Sequence, residues 1–441
     1  MKIIHTSDWH LGNRMHEIDR NREFSSFLKW LKEEIKRQGA QALIVSGDIY
    51  DSANPPVESR RQYITFLASL AETVCKNVVI IGGNHDSGVL LDSEKDILGL
   101  LNIHVIGSAS DLNPEDMVFE LYDESGNAIG ICAAVPYMRE YELRRYAEQT
   151  PENDIGNVSD TKTFSDKAYS NLYSETFKVA EKLRADRDIP IIATGHLYAA
   201  NLEGRLAGHE TEIKADDGTR MLDIVGNLGA VHESSFPDGF DYVALGHIHY
   251  SSMAGGNPRI MYSGSPFILG FDEVVYERNV LAVDFSRNTG TRKFAVSTKK
   301  IKVPSDTAYR RISGKWDEIQ RKLQEYKGIS GETYIEICFV PEDGISIHAE
   351  IDKIAKELPE NIQIVSRKAI KSVQQYTMQS RDMREIRNMD QEEIFKMLIL
   401  SRSNDILSNL TDEEKKNKEQ ELIDKYLPLF REAAGQVENE A

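Results

Sequence analysis

Short apolar runs that each end in a cluster of Asp, Asn or His constrain this chain more than any other feature. Five of them stand out: Ile3–Thr6 leads into Asp8-Trp9-His10, Ala42–Val45 into Gly47-Asp48-Ile49-Tyr50-Asp51, and Val78–Ile81 into Gly83-Asn84-His85-Asp86. Ile191–Ala193 leads into Gly195-His196, and Tyr242–Leu245 into Gly246-His247-Ile248-His249. The runs are short and rich in β-branched residues, which predicts strands. Between the first two, Phe24, Phe27, Leu28, Leu31 and Ile35 recur at helical spacing, and Tyr63, Leu67 and Leu70 do so after Pro56. The opening therefore reads β-α-β-α-β, an order that produces parallel strands. In parallel sheets ligands gather beyond the carboxyl ends of the strands. Five ends delivering Asp, Asn and His are expected to converge on one spot, and the glycines ahead of four clusters let the backbone turn sharply there.

Asp8, His10, Asp48, Asn84, His196, His247 and His249 combine carboxylate, amide oxygen and imidazole. That donor set suits Mn²⁺, Fe²⁺ or Zn²⁺; a calcium cage would use oxygens alone, and structural zinc would favour Cys. Seven ligands exceed what one four- to six-coordinate ion can use. They suit two ions sharing a bridging carboxylate, an arrangement that clamps both the attacking and the leaving oxygen of a displacement at phosphorus. His5, inside the first strand, is expected in the core or behind the ligands. His16, His104, His209, His232 and His348 default to structural or surface roles.

Further β-structure is expected at Ile260–Tyr262 and Val280–Phe285. Residues near 140–190 are polar and poor in strand signal, which predicts a helical insertion or a long excursion. Turn residues Asn288-Thr289-Gly290 mark a boundary. Beyond it a second β-α-β-α-β pattern runs through Tyr309–Ile312, Trp316–Tyr326, Thr333–Val340, Ile347–Leu358 and Ile362–Val365. The last 60 or so residues carry two amphipathic helices, with N-cap pairs at Asp390/Glu393 and Thr411/Glu414. They either dock on a partner or fold back on their own chain.

No stretch reaches the ~18 apolar residues of a membrane span, and the N-terminus lacks the apolar core of a signal peptide. A soluble, cytoplasmic protein is expected. Cys75, Cys132 and Cys338 are far apart, which predicts buried free thiols. The net charge of −18 argues for weak, salt-sensitive binding to nucleic acid by this chain alone. Arg20/Arg22, Arg60/Arg61, Lys299/Lys300/Lys302 and Arg310/Arg311 are the candidate phosphate contacts. There is no Gly-x-x-x-x-Gly-Lys-Ser/Thr loop, so ATP hydrolysis would have to come from a partner.

The clusters resemble the signature of the calcineurin-like metallophosphoesterase superfamily, most closely its bacterial SbcD branch of nuclease subunits. The residues that carry this are His5-Thr6-Ser7-Asp8-Trp9-His10-Leu11-Gly12, Gly47-Asp48-Ile49-Tyr50-Asp51 with Pro55-Pro56, and Gly83-Asn84-His85-Asp86-Ser87. Ala193-Thr194-Gly195-His196-Leu197, Ala244-Leu245-Gly246-His247-Ile248-His249 and Ser263-Gly264-Ser265-Pro266 are also similar. The resemblance implies a β-sandwich flanked by helices over residues 1–290, a small α+β capping domain over 303–375 and a helical segment over 385–441 that docks on a coiled-coil ATPase. It implies two ions, Mn²⁺ foremost with Mg²⁺, Fe²⁺ or Zn²⁺ as alternatives. Asp8, His10 and His249 would hold one, Asn84, His196 and His247 the other, with Asp48 between them. It implies His85 as the catalytic histidine, oriented by Asp86. Asp51 stands where archaeal and eukaryotic relatives commonly carry a histidine, which leaves its role open.

The activity implied is a DNA nuclease, acting as double-strand 3′→5′ exonuclease and single-strand or hairpin endonuclease within a homodimer-based heterotetramer. A phosphatase or small-molecule phosphodiesterase on the same ions stays open. Asp51-Ser52-Ala53 and Asp86 nevertheless replace the Asp-Arg-Gly and Glu usual in phosphoprotein phosphatases. A non-catalytic scaffold is the third reading, disfavoured by the complete ligand set.

Overall fold

A computed structural model describes residues 1–16, 18–109, 113–149, 161–200, 231–287, 293–341, 347–370 and, near the C-terminus, 418, 423, 425 and 426. The C-terminal helices expected over 385–441 lie otherwise outside the described residues, as does His209.

The first strands are β1 (Lys2–Thr6), β2 (Ala42–Ser46), β3 (Asn77–Ile81) and β4 (Ile103–Ile106), all parallel. Between them lie helices α1 (Asn21–Gln38), α2 (Val57–Ser69), α3 (Gly88–Asp92) and α4 (Lys95–Gly99). The next elements are β5 (Val118–Tyr122), β6 (Ala128–Ala134), α5 (Glu140–Gln149), α6 (Thr161–Arg184) and β7 (Ile191–His196). After the two-residue pair β8 (Ala199–Ala200) and β9 (Val231–His232) come β10 (Tyr242–Gly246), β11 (Ser252–Met253) and β12 (Ile260–Tyr262). The long hairpin β13 (Asn279–Arg287) and β14 (Phe294–Lys302) follows.

These strands form two six-stranded sheets, ordered β14-β13-β1-β2-β3-β4 and β11-β12-β10-β7-β6-β5. Period-two alternation assigns each side chain to a layer. In β2, Ala42 and Ile44 face the second sheet while Leu43 and Val45 face the helices, and Val79/Ile81 against Val78/Ile80 repeat this in β3. Both faces are buried, which is why these strands read as unbroken apolar runs. Phe24, Phe27, Leu28, Leu31 and Ile35 of α1 cover the first sheet. The expected insertion at 140–190 proves to be the matching outer layer: Ala168, Leu172, Tyr173 and Ala180 of α6 cover the second sheet. The result is an α/β/β/α sandwich.

Strands β15 (Thr307–Gly314), β16 (Glu332–Phe339) and β17 (Ile362–Ala369) form a parallel three-stranded sheet. Helices α7 (Trp316–Glu325) and α8 (Ile347–Ala355) cover one of its faces. The opposite face presents Tyr309, Tyr334 and Val365 to Met15 and Phe271 of the sandwich. Cys75, Cys132 and Cys338 are buried free thiols. Among the described residues no helix is long and apolar enough to cross a membrane.

Candidate metal centre

The parallel strands β1, β2, β3, β7 and β10 all end at the same edge of the sandwich, and the loops beyond them bring the seven candidate ligands together. Trp9 anchors the first loop from behind. Its ring meets Phe27 and Phe66 edge-on, and its Nε1 donates to Thr6 Oγ1 at 3.0 Å, which turns Asp8 and His10 the other way.

Four of the seven residues, Asp8, His10, Asp48 and His247, hold positive φ angles of 52°, 45°, 50° and 97°. Non-glycine residues adopt this region at a cost, and they cluster where a site demands it. Two glycines make room. Gly47 has φ 86° and a Cβ there would strike the His196 ring, while a Cβ on Gly83 would strike the Asp48 carboxylate.

Asp48 lies at the centre. Its Oδ2 is 3.5 Å from His10 Nε2 and 3.3 Å from His196 Nε2, while Oδ1 accepts the His85 backbone N–H at 2.9 Å. On one side, ligand atoms of Asp8, His10 and His249 lie within 4.8 Å of one another. On the other, Asn84 Oδ1 is 2.9 Å from His196 Nε2 and 3.1 Å from His247 Nδ1. Asp8 also accepts the His247 backbone N–H at 3.0 Å, tying the first and fifth loops together.

The electrostatics favour positive charge here. Burial alone would raise the Asp48 carboxyl, but His196 and then His10 hold it well below the usual range. Burial would likewise lower His196, yet Asp48 outweighs it and pushes the imidazole up to about 9. His247 goes the other way, down to about 4, through burial and then the neighbouring His196. Both ring nitrogens of His10 are buried without an aligned hydrogen-bond partner. An imidazole in that condition, facing carboxylates, fits a cation and fits little else. The mixed oxygen and nitrogen donors suit divalent transition metals.

Further residues brace the ligands. Glu273 Oε1 is 2.7 Å from His249 Nδ1, and Arg278 pairs with Glu273 Oε2 at 3.3 Å while donating to the His249 carbonyl at 2.9 Å. Asp51 Oδ1 is 3.2 Å from His10 Nδ1, and Ser46 O takes His196 Nδ1–H at 2.8 Å. Such partners fix which ring nitrogen faces an ion. Ser7 donates to Asp8 and lies 2.7 Å from Ser263, a purpose for the Ser263-Gly264 motif. Nothing in the sequence pointed to Glu273 or Arg278, whereas Asp51 and Ser263 lay within the family-like motifs.

Other expectations need correction. The Asp86 carboxylate does not orient the His85 ring. It is buried and accepts backbone N–H groups of Ile49, Tyr50 and Gly83 at 3.0, 2.9 and 2.9 Å, clamping the second and third loops together. Burial and then the Asp48 charge push its pKa up to about 6. The exposed His85 ring is held instead by Asp51, whose carbonyl accepts its Nδ1–H at 3.0 Å. Arg20 is buried against Glu23, Arg311 against Glu336, and Arg60 and Arg61 pair with Glu94 and Glu58, so these four are engaged within the chain. His5 is a core residue, with Nδ1 2.9 Å from Tyr242 Oη and Nε2 3.2 Å from Ser46 Oγ. His16 lies against Phe271, His104 stacks on Phe119, His232 bonds Ser234 and His348 meets Phe339.

A two-layered β core with acidic and imidazole groups gathered at one edge defines a metal-dependent phosphodiesterase. The chain belongs to the calcineurin-like phosphoesterase family, whose profile matches residues 1–251. Within that family it falls with the SbcD proteins. It is 31% identical over 371 residues to the SbcD component of the SbcCD nuclease from Escherichia coli strain K12, covering 83% of this chain and 85% of the relative. The Rhodobacter capsulatus protein of the same name is 31% identical over 299 residues, covering 66% and 68%. The Bacillus subtilis one is 28% identical over 288 residues, covering 64% and 66%.

Proposed function

We propose that this chain is the Mn²⁺-dependent nuclease subunit of an ATP-controlled complex acting on DNA ends and hairpins in recombination, replication and repair. The observation that carries the reading is Asp48, one carboxylate set between His10 and His196 at 3.5 and 3.3 Å. A bridging ligand needs that position. In this reading Asp8, His10 and His249 hold one ion, Asn84, His196 and His247 hold the second, and Asp48 is shared. When bound, two such ions neutralise charge on the phosphoryl group and acidify water at neutral pH.

The chain's own residues do the rest. The Asp51 carbonyl keeps the His85 proton on Nδ1, which leaves Nε2 directed outward. A proton carried on Nε2 can then pass to the leaving 3′-oxygen. Asp86 keeps the Asp48 and Asn84 loops in register, acting through backbone rather than touching substrate.

The relatives' name supports DNA as substrate and an SbcC-like coiled-coil ATPase as partner, since this chain has no ATP-binding loop of its own. A homodimer within a heterotetramer is supported by exposed apolar side chains on α2–α4, namely Val57, Val89, Ile97 and Leu100, at 84, 81, 71 and 86% exposure. Arg60 of α2 pairs with Glu94 beside α4, so these residues share one region of surface. The 385–441 segment is the proposed ATPase-docking element, and the cytoplasm is the proposed compartment.

Purified chain with Mn²⁺ and end-labelled duplex or hairpin DNA tests the reading. Cleavage that chelator abolishes and His85→Asn reduces at least a hundredfold is expected. No cleavage, or cleavage indifferent to His85→Asn, overturns it. A nitrophenyl monoester hydrolysed far faster than DNA would favour a phosphatase.

A further inference from the structure

Asp51 touches both kinds of functional histidine, and an unbroken line of polar contacts leads from it to the three-stranded domain. Its Oδ1 lies 3.2 Å from His10 Nδ1 and accepts Asn13 Nδ2–H at 3.0 Å, while its carbonyl holds His85. Asn13 Oδ1 in turn accepts Arg20 Nη1–H at 2.7 Å. Arg20 Nε donates to Glu23 Oε2 at 2.8 Å, and that same oxygen accepts the hydroxyl of Tyr309, on strand β15, at 2.9 Å.

Each link is directional. Asn13 must turn its oxygen to the guanidinium and its nitrogen to the carboxylate, so its amide has one satisfactory orientation. Arg20 is 3% exposed, and its guanidinium sits over the rings of Phe24, Phe267 and Tyr309 at 5.5, 5.7 and 5.3 Å. A buried guanidinium so enclosed cannot turn to water if one partner leaves. A shift of Tyr309 therefore moves Glu23 and Arg20, and Asn13 passes the displacement to Asp51.

We propose that Arg20, Asn13 and Asp51 are a positioning relay through which the three-stranded domain, by way of Tyr309 and Glu23, sets the geometry of His10 and His85. This rests on the phosphodiesterase reading of the site. The relay makes contact with that domain a control on metal binding and turnover. It also gives Asp51 a task that a histidine at the same position could not perform, since His10 Nδ1–H and the Asn13 amide both need an acceptor.

A double-mutant cycle on the full chain tests it, because spatial continuity alone does not establish coupling. Asn13→Leu cuts the line at its centre, and Tyr309→Phe removes one hydroxyl while keeping the ring. Mn²⁺ binding by calorimetry, without substrate, and kcat and KM on bis(nitrophenyl) phosphate are the readouts. Asn13→Leu is expected to weaken one of two Mn²⁺ steps about tenfold and to lower kcat with KM little changed. Tyr309→Phe should shift both in the same direction by a smaller factor, and the double variant should match Asn13→Leu. Additive effects, or Tyr309→Phe indistinguishable from wild type, overturn the relay while leaving the phosphodiesterase reading intact. Wild type that binds no Mn²⁺ and cleaves no diester sinks both. Should Asn13→Leu not fold, Arg20→Lys keeps the charge beside Glu23 while losing the reach to Asn13, and carries the same expectations.

Discussion

Glu273→Gln separates bracing of a ligand from bracing of the fold. Glu273 holds His249 Nδ1 at 2.7 Å, accepts the Leu269 N–H at 3.1 Å and pairs with Arg278 at 3.3 Å. Glutamine keeps the shape and one acceptor but loses the charge. Hydrogen bonds to charged groups contribute ~1.5–3 kcal/mol against ~0.5–1.5 for neutral ones, so the His249 bond should lose about 1 kcal/mol. Stranding a buried cation costs ~3–5 kcal/mol. Arg278, however, keeps the His249 and Glu273 carbonyls at 2.9 and 2.6 Å, which limits its share to about 1 kcal/mol. The ion-free variant should thus be about 2 kcal/mol less stable by urea unfolding in chelator. Loss of an outer partner weakens metal binding ~10–100-fold, and a neutral acceptor in its place points to the lower end, about tenfold or ~1.4 kcal/mol. A Mn²⁺ titration should show one weakened step and one within about twofold of wild type. Destabilisation with both steps unchanged would make Glu273 a brace of the fold alone. Equal weakening of both would refute the partition of ligands between two ions.

His5 should contribute a pH-dependent loss of stability. Burial holds it neutral, with its pKa lowered from 6.5 to about 3. The unfolded chain therefore takes up a proton below 6.5 that the folded chain refuses until about 3, and stability falls as pH drops through that window. The slope approaches ~1.4 kcal/mol per pH unit. Urea unfolding of wild type and His5→Gln at pH 7, 5.5 and 4.5 isolates the term, and equal slopes would refute it. Gly83→Ala should abolish tight Mn²⁺ binding and cost about 1–3 kcal/mol, because its methyl meets the Asp48 carboxylate and the loop must shift. Unchanged metal affinity by calorimetry would contradict that.

How much was legible in the sequence follows from where each signal resides. Parallel strands buried on both faces give continuous apolar runs, so β1, β2, β3, β7 and β10 could be read directly, and their ends led to the ligands. β4 and β5 were missed because Ile103–Ile106 and Val118–Tyr122 are short and interrupted by His104 and Glu120. Turn residues at 288–290 mark a hairpin as readily as a linker, and pairing from Asn279↔Lys302 to Arg287↔Phe294 carries the first sheet onward to Lys302. The role of α6 was hidden because a helix covering a sheet shows only a modest apolar stripe, here Ala168, Leu172 and Tyr173 among polar neighbours. Glu273 and Arg278 could not be found from sequence, since a brace contributed from a distant loop has no spacing rule to betray it. Asp86 shows a different limit. Adjacency to His85 suggested direct contact, but the backbone turns the two side chains to opposite sides, one to solvent and one to the loop amides.

Electron paramagnetic resonance of the Mn²⁺-loaded chain, joined to anomalous diffraction at the manganese edge, tests the dimetal site most directly. Two ions ~3.5–4 Å apart, spin-coupled and sharing Asp48, are expected, with Asp48→Asn abolishing the coupling. A single ion at saturation, or two ions too far apart for one carboxylate to reach both, would contradict it.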